Sequence, residues 1–276
     1  MASSPTTRSR PALFRALGDS GPPERVTVGG SEYTLHNLYK HDSWAATGLY
    51  RNKTQSIICK FNRQQPIFGF STAWLGRLLA DNERMALESL ADVPGVPRSL
   101  GDVFVNGKRW PNAIAREFIA GHPLGAKERV SPRFFTQLRE TLAAMHARNI
   151  AYVDLHKREN IIVGEGKGQD GRPYFVDFQI CLDASRTRTK WIPGINALFD
   201  CLRQSDNYHV AKHIDRYGGG NTIGTSDRPW WITLHRSLAV PYRQLRRRLL
   251  VQLKIRSGAG YVESERFIED AFRKVA

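Results

Sequence analysis

Three polar residues in the middle of the chain lie directly after, or within, short apolar runs. In YVDLHKRENIIV (152–163), Asp154 is followed six positions later by Asn160, and Asp177 interrupts the apolar run YFVDFQI (174–180). Carboxylate and amide oxygens are the ligands that Mg²⁺ prefers in proteins. A carboxylate beside a hydroxyl group can orient that group and accept its proton. The segment therefore has the residue types for metal-assisted chemistry on a hydroxyl group.

A cation and a carboxylate in the first half of the sequence are predicted to meet. Lys60 lies near the end of SIICKF (56–61), whose apolar residues indicate a strand. Glu83 falls on the apolar stripe of a predicted helix over 71–92. The other members of this stripe are Leu75, Leu79, Ala86 and Leu90. Because a carboxylate on the buried face of a helix needs a partner, Lys60 is the candidate.

The remaining pattern predicts a mixed α+β chain. Short strands are expected on both sides of 29–30, 52–54 and 106–107, where glycine and asparagine mark turns. A linker is expected at Gly121. These strands precede the predicted helices of the second half, so the β-rich part comes first.

Helix signals and further short strands follow. Ser71 is expected to cap the first helix, and Ser131, followed by proline, to begin a second helix over 131–150. The segment 150–153 is expected to be a short strand that ends at the first aspartate, and 160–178 to be a hairpin that ends at the second. The polar residues thus lie on loops held by strands.

This order of elements and motifs resembles the protein-kinase family. Lys60 and Glu83 match the strand lysine and the helix glutamate of that family. The triplet 152–154 stands where HRD is expected, with Asn160 in the place of the metal-binding asparagine. Asp177 in VDFQ stands in the place of the DFG aspartate. The likeness covers roughly residues 35–210.

The resemblance implies a two-lobed kinase-like fold of the α+β class. Residues 26–118 would form a small β-rich N-lobe, and 119–276 a mainly helical C-lobe that includes a basic C-terminal region. Residues 1–25, rich in Ser, Thr, Pro and Arg, are expected to be a flexible tail. ATP would bind between the lobes.

The resemblance also implies roles for individual residues. Asp154 would orient the acceptor hydroxyl, Lys60 would bind phosphates, and Glu83 would hold Lys60 in place. Asn160 and Asp177 would hold Mg²⁺. The other positions expected to contact ATP are Ala46 and Gly48 at the phosphates, and Glu117, Phe118 and Ile119 at the adenine.

The sequence departs from the protein-kinase pattern in several places. The spacing from Asp154 to Asn160 is one residue longer than in HRDxxxxN, so the loop is expected to bulge. Tyr152 replaces the HRD histidine and Gln179 the DFG glycine. A glycine-rich phosphate loop and an APE motif are both missing, and the latter loss removes the usual peptide-docking segment.

A nearer likeness is to compact bacterial kinase-like proteins. These include the lipopolysaccharide-core (heptose/Kdo) kinases, the RIO-like kinases and small serine/threonine-kinase-like proteins. WAATGLYR, VDLHKREN and GRPYFVDFQI are similar to the last group, and DNYHVAKHIDRY (206–217) is similar to a segment of the lipopolysaccharide-core kinases.

Three hypotheses for function follow. The first is a phosphotransferase that uses ATP and Mg²⁺ and acts on a hydroxyl of protein Ser/Thr or of a glycolipid sugar. The alternative is a pseudokinase that serves as a nucleotide-binding or interaction module. The third, a nucleic-acid binder, rests on the net charge of +15 alone. Because no nucleic-acid recognition motif accompanies that charge, no specific nucleic acid is expected as a partner.

Location and two basic features leave alternatives open. Three cysteines without metal-ligand spacing and the lack of a signal-peptide pattern predict a cytoplasmic protein. The segment 236–256 either packs its apolar face on the larger lobe or lies peripherally on an anionic membrane. His209, Lys212, His213 and Arg216 share one helical face, which either binds an anionic substrate or is simply solvated.

Overall fold

The computed structural model describes residues 11–165, 171–186, 189–218 and 229–233, together with the single residues 237, 245 and 252. It confirms a mixed α+β chain. Of the predicted tail, residues 1–10 lie outside the described part. Within 11–25, the backbone N–H of Ala16 donates to the Asp42 carbonyl over 2.6 Å, so this stretch contacts the sheet.

Eight antiparallel strands form one large sheet in the order β5-β8-β4-β3-β2-β1-β6-β7. The strands are β1 (Arg25–Val28), β2 (Ser31–His41), β3 (Ala45–Arg51), β4 (Ser56–Asn62), β5 (Ser99–Gly101), β6 (Val103–Val105), β7 (Lys108–Arg109) and β8 (Ala113–Glu117).

Two of the predicted turns have the backbone that a two-residue hairpin needs. Gly29 and Gly30 have φ of 55° and 79°, and Asn106 and Gly107 have φ of 49° and 74°. Positive φ at both central residues matches the right-handed twist of the strands that they join. The predicted hairpins at 29–30 and 106–107 are therefore confirmed.

Strand β4 lies at the centre of the sheet between β3 and β8. Lys60 pairs with Thr47 on one side and with Ile114 on the other. Cys59 and Phe61 belong to an apolar cluster on one face of the sheet. Because side chains alternate along a strand, Lys60 projects from the opposite face.

Helix α1 (Ala73–Ser89) carries Glu83 on its buried side. The expected cap at Ser71 is wrong: Thr72 is the N-cap residue, and its side chain makes no capping hydrogen bond. Its hydroxyl instead donates to the Gln65 carbonyl over 2.7 Å. Tertiary contacts of the preceding loop thus set the start of the helix.

The second half of the chain combines two long helices with short strands. Helix α2 (Pro132–Ala147) begins as predicted, because the Ser131 hydroxyl accepts a hydrogen bond from the Phe134 N–H. Helix α3 is Ile195–Tyr217. The strands are β9 (Gly121–Pro123), β10 (Ile150–Ala151), β11 (Ile161–Gly164), β12 (Arg172–Phe175) and β13 (Leu182–Asp183).

For the described part of 119–276, the expectation of a mainly helical composition is wrong. Gly121, expected in a linker, instead begins β9, where a Cβ would lie 2.2 Å from the Val163 carbonyl oxygen. The strand pairs β11–β12, β11–β9 and β10–β13 hold the loops that carry the two aspartates. Short paired strands therefore flank these loops, in a part of the chain that was expected to be mainly helical.

The largest apolar cluster joins α1 to the second half of the chain. It contains Leu87 of α1 and Leu90 directly after it, Leu138 and Leu142 of α2, and the ring of Phe175. Burial of such side chains stabilises by roughly 1.5–3 kcal/mol each. The helix that carries Glu83 is therefore fixed relative to the segment that carries Asp177.

In the described part of the chain, no helix has the length and apolar character needed to cross a membrane. The basic segment 236–256 lies almost entirely outside the described residues. Its contact with a membrane surface stays a prediction, as does a cytoplasmic location.

We predict that Gly76→Ala destabilises the protein, because α1 approaches a buried loop at this position. An added Cβ would lie 2.1 Å from the Arg63 carbonyl oxygen and 2.6 Å from Asn112 Nδ2. Overpacking typically costs about 1–3 kcal/mol, which exceeds the gain in helix propensity of about 1 kcal/mol. Urea-induced unfolding measures the change.

The matched control is Gly21→Ala, since an added Cβ there meets no atom within 4 Å. Its free energy of unfolding should stay within about 0.5 kcal/mol of wild type. Equal stability of Gly76→Ala and wild type would contradict the packing of α1 described above.

Candidate active site

The Lys60 ammonium lies between two carboxylates. Its Nζ is 2.9 Å from Glu83 Oε2 and 2.6 Å from Asp177 Oδ1. Burial acts to lower the pKa of Lys60, but the Asp177 and Glu83 carboxylates outweigh it and raise the pKa above its usual value. Lys60 is therefore a fixed, charged ammonium, and the predicted contact with Glu83 is present.

Glu83 and Asp177 approach Lys60 from different parts of the chain. Glu83 is 1% exposed, so a positive charge that pairs with its carboxylate must also be buried. Asp177 has φ of 70°, which is unusual for a residue with a side chain. Although burial opposes it, the Lys60 ammonium lowers the pKa of Asp177 to about 2. This carboxyl group is ionised at neutral pH.

The Asp154–Asn160 loop lies next to the segment that carries Asp177. The Asn160 carbonyl accepts a hydrogen bond from the Val176 N–H over 3.0 Å. The Asn160 side-chain Nδ2 donates to the Asp154 carbonyl over 3.2 Å. Within this loop Arg158–Asn160 forms a 3₁₀ turn. The bulge relative to the HRDxxxxN pattern stays a prediction.

The Asp154 carboxylate has two basic neighbours in its own loop. Lys157 Nζ lies 2.6 Å from Asp154 Oδ2, and His156 Nδ1 lies 3.2 Å from Asp154 Oδ1. Asp154 is 3% exposed, whereas the side chains of Lys157 and His156 are about half exposed. The loop thus holds one buried carboxylate beneath two cationic or titratable groups.

Tyr152, which stands in the place of the HRD histidine, packs in the core. Its ring is fully buried and meets the rings of Phe175 and Phe178 edge-on, at 5.1 and 5.2 Å between centroids. Its hydroxyl donates to the Val176 carbonyl, which directly precedes Asp177. Burial raises the pKa of Tyr152 well above its usual value, so the hydroxyl stays protonated.

Asp206 of α3 holds the start of the same loop, and the sequence interpretation missed it. Its carboxylate accepts hydrogen bonds from the N–H groups of Tyr152 (2.8 Å) and Val153 (2.9 Å). It also lies 3.1 Å from His146 Nε2. Val153 has φ of 73°, an outlier for a β-branched residue. Asp206 therefore stabilises a strained backbone immediately before Asp154.

A sequence signal for Asp206 existed. Asp206, Val210, His213 and Tyr217 are all buried on one stripe of α3. The rule that singled out Glu83, a carboxylate on the buried stripe of a helix, applies equally to Asp206.

Two asparagines that the sequence interpretation also missed hold the segment after Asp177. Asn82 Nδ2 donates to the carbonyls of Gln179 and Cys181, both at 2.9 Å. The Gln179 amide donates to Asn62 Oδ1 at the end of β4. The residue in place of the DFG glycine is thus tied to both β4 and α1.

The other residues predicted to contact ATP lie within strands of the large sheet or directly after β8. Ala46 and Gly48 are buried within β3, and a Cβ on Gly48 would lie 2.7 Å from Leu35 Cδ1, so the Leu35 side chain would have to shift to admit it. Glu117 ends β8, Phe118 packs on an apolar cluster formed by Tyr39, Leu49 and Ile58, and Ile119 is half-buried. Their role in binding a nucleotide stays a prediction.

The turn before β3 is acidic. Asp42 Oδ1 accepts hydrogen bonds from the N–H groups of Trp44 (2.8 Å) and Ala45 (2.9 Å). Although burial opposes it, the nearby Lys40 ammonium lowers the pKa of Asp42. These two N–H groups are therefore already paired with a carboxylate of the protein.

Asp177 and Asn160 are the residues suited to Mg²⁺. Mg²⁺ is typically bound by one or two carboxylates while its other ligands are waters and substrate phosphates. One carboxylate and one amide oxygen on adjoining segments fit that requirement. Among the described residues, no group of three or more His, Cys, Asp or Glu side chains could hold a metal ion by itself.

Comparison with known proteins gives no match: the chain matches no family model and no curated protein.

We predict that Asp206→Asn destabilises the protein by about 2–4 kcal/mol, because an amide cannot accept both backbone hydrogen bonds and one buried N–H loses its charged partner. Asp200→Asn on the same helix is the control. The Asp200 side chain is 53% exposed and pairs with Arg203, so its loss should cost within about 0.5 kcal/mol. Denaturant unfolding compares the two, and equal effects would contradict the role given to Asp206.

Proposed function

We propose that the protein is a phosphotransferase of the protein-kinase-like superfamily, with a two-lobed arrangement. It transfers the γ-phosphoryl group of ATP to a hydroxyl acceptor in a reaction that requires Mg²⁺. The observation that carries the proposal is the buried Lys60 between Glu83 and Asp177, beside a loop that presents Asp154 and Asn160. Charge neutralisation and positioning dominate catalysis of phosphoryl transfer, and this arrangement supplies both.

On the donor side, Lys60 would bind phosphate oxygens of ATP. Glu83 keeps the ammonium in place from the helix, while the 2.6 Å contact puts it next to Asp177. Asn160 and Asp177 would hold Mg²⁺, which when bound neutralises charge on the phosphates. The segment 117–119 would contact the adenine between the lobes.

On the acceptor side, Asp154 orients the hydroxyl group. The bond between Pγ and the oxygen of the departing ADP breaks, the acceptor oxygen forms the new bond to Pγ, and its proton passes to Asp154. Lys157, 2.6 Å from the Asp154 carboxylate, places a positive charge where the transferred phosphoryl group carries negative charge. The acceptor class remains a protein Ser/Thr or a sugar hydroxyl.

A second candidate, a pseudokinase that binds nucleotide without turnover, is favoured by the turn at Asp42. Its N–H groups at Trp44 and Ala45 are taken by the Asp42 carboxylate, whereas a phosphate-binding loop presents such groups to the ligand. Against this candidate, all the charged side chains that phosphoryl transfer requires are brought together.

We predict that wild type transfers label from γ-labelled ATP with Mg²⁺ to protein, glycolipid or water, and that Asp154→Asn lowers the rate about 100-fold or more, because the proton acceptor is lost. The control is Asp92→Asn, whose side chain is 73% exposed and pairs with Arg148. Its rate should equal that of wild type.

The two candidates give different results in this assay. Nucleotide binding with no transfer by wild type to any acceptor fraction would contradict the phosphotransferase and leave the pseudokinase. The absence of nucleotide binding by folded wild type would contradict both.

A further inference from the structure

A cavity of about 240 Å³ lies beside the loop that carries Asp154. One wall is the loop segment 156–159, and the other is one face of α3. The residues that line it are His156, Lys157, Arg158, Glu159, His209, Lys212, His213, Arg216 and Tyr217. The basic face of α3 noted in the sequence is therefore part of a formed cavity.

The cavity has a fixed frame. His213 Nε2 donates to the Leu155 carbonyl over 2.8 Å, which ties the helix to the residue after Asp154. The His213 ring stacks on the Tyr217 ring at 5.7 Å. Burial lowers the pKa of His213, so the ring stays neutral at physiological pH. The walls are thus set by a neutral histidine and an aromatic ring.

The lining is strongly positive. It contains four Lys or Arg side chains and, among the described residues that line it, one carboxylate, Glu159. Lys157 pairs with Asp154 at 2.6 Å, and Arg158 lies 3.6 Å from Glu159. The charges of Lys212 and Arg216 are therefore in excess.

Lys212 and Arg216 are four positions apart on α3, so both side chains face the cavity from one side of the helix. An ammonium and a guanidinium together are suited to a phosphate group, since arginine can bind two of its oxygens at once. The volume is below that of a typical site for a complete ligand. It fits one charged group of a larger molecule.

The cavity adjoins Asp154 through two of its lining residues. Lys157 lines the cavity and also contacts Asp154 Oδ2, and His156 lines it and lies 3.2 Å from Asp154 Oδ1. The donor-side residue Lys60 is not part of the lining. A molecule with its charged group in the cavity would reach toward Asp154.

We propose that the cavity binds a phosphate group that the acceptor already carries, so that the acceptor is a phosphorylated hydroxyl compound such as a sugar phosphate. This inference rests on the proposed phosphotransferase function. It selects, within the open acceptor classes, a phosphorylated sugar over an unmodified serine or threonine of a protein.

The test is a titration of the full chain with inorganic phosphate and, separately, with glucose 6-phosphate, at constant ionic strength set by chloride. NMR of the histidine rings, with His213 assigned by substitution, reads the binding. We expect saturable shifts with both probes in wild type. In Lys212→Gln/Arg216→Gln, affinity should fall about 10-fold or more. Both residues are exposed, so the variant should fold.

Arg203→Gln is the matched control, because Arg203 lies on the same helix, is 48% exposed and pairs with Asp200 outside the cavity. Its affinity for phosphate should equal that of wild type. Equal binding by the double variant and by this control would overturn the site. Binding of inorganic phosphate but not of glucose 6-phosphate would overturn the assignment to an acceptor.

A parallel titration in saturating Mg·ADP separates this inference from the proposed function. If phosphate still binds in the presence of Mg·ADP, the result supports a separate site on the acceptor side. If Mg·ADP displaces phosphate, the anion binds in the nucleotide site and the proposal is overturned. If phosphate binding depends on Lys212 and Arg216 but the chain binds no nucleotide, the phosphotransferase proposal fails. The cavity would then be an anion site without an acceptor role.

Discussion

The buried ammonium of Lys60 between two carboxylates is the interaction on which the rest of the structure depends. A buried charge is costly unless it is paired, and here Lys60 on a strand meets one carboxylate from a helix and one from a loop, all distant in sequence. The same two carboxylates also act electrostatically on a second cation, Arg116. Burial lowers the pKa of Arg116 despite the opposing effect of Glu83 and Asp177. The fold must therefore hold these two cations and two carboxylates at fixed positions relative to one another.

Three arrangements hold them. Helix α1 packs in the same apolar cluster as α2, and Asn82, adjacent in sequence to Glu83, binds the segment after Asp177. The Tyr152 hydroxyl and the Asn160 carbonyl both bind backbone groups of Val176. Asp206 fixes the strained backbone before Asp154. The groups around Lys60 and the loop that carries Asp154 are thus joined through the hydrogen bonds of Val176.

The sequence was informative where the signal is local or periodic. The turns at 29–30 and 106–107, the cap at Ser131 and the buried face of the Glu83 helix follow from residue type and spacing alone. Strand β10 lies inside the segment 150–153 that was expected to be a strand, whereas β13, with two residues, is too short for any period to appear. The contacts of Asn82, Asn62 and Gln179 depend on tertiary proximity. Asp206 is different. Its position on a buried helix stripe could be predicted from the sequence, whereas its hydrogen-bond partners could not.

We propose that Lys60, Asn160 and Asp177 form a site for a metal-bound nucleotide. Calorimetric titration of Mg·ADP into wild type and into Asp177→Asn tests this site, since the variant keeps the size of the side chain and the Lys60–Glu83 pair. We expect saturable binding by wild type that requires Mg²⁺ and is about 100-fold weaker, or lost, in the variant. No binding by folded wild type, or equal binding by both proteins with and without Mg²⁺, would contradict it.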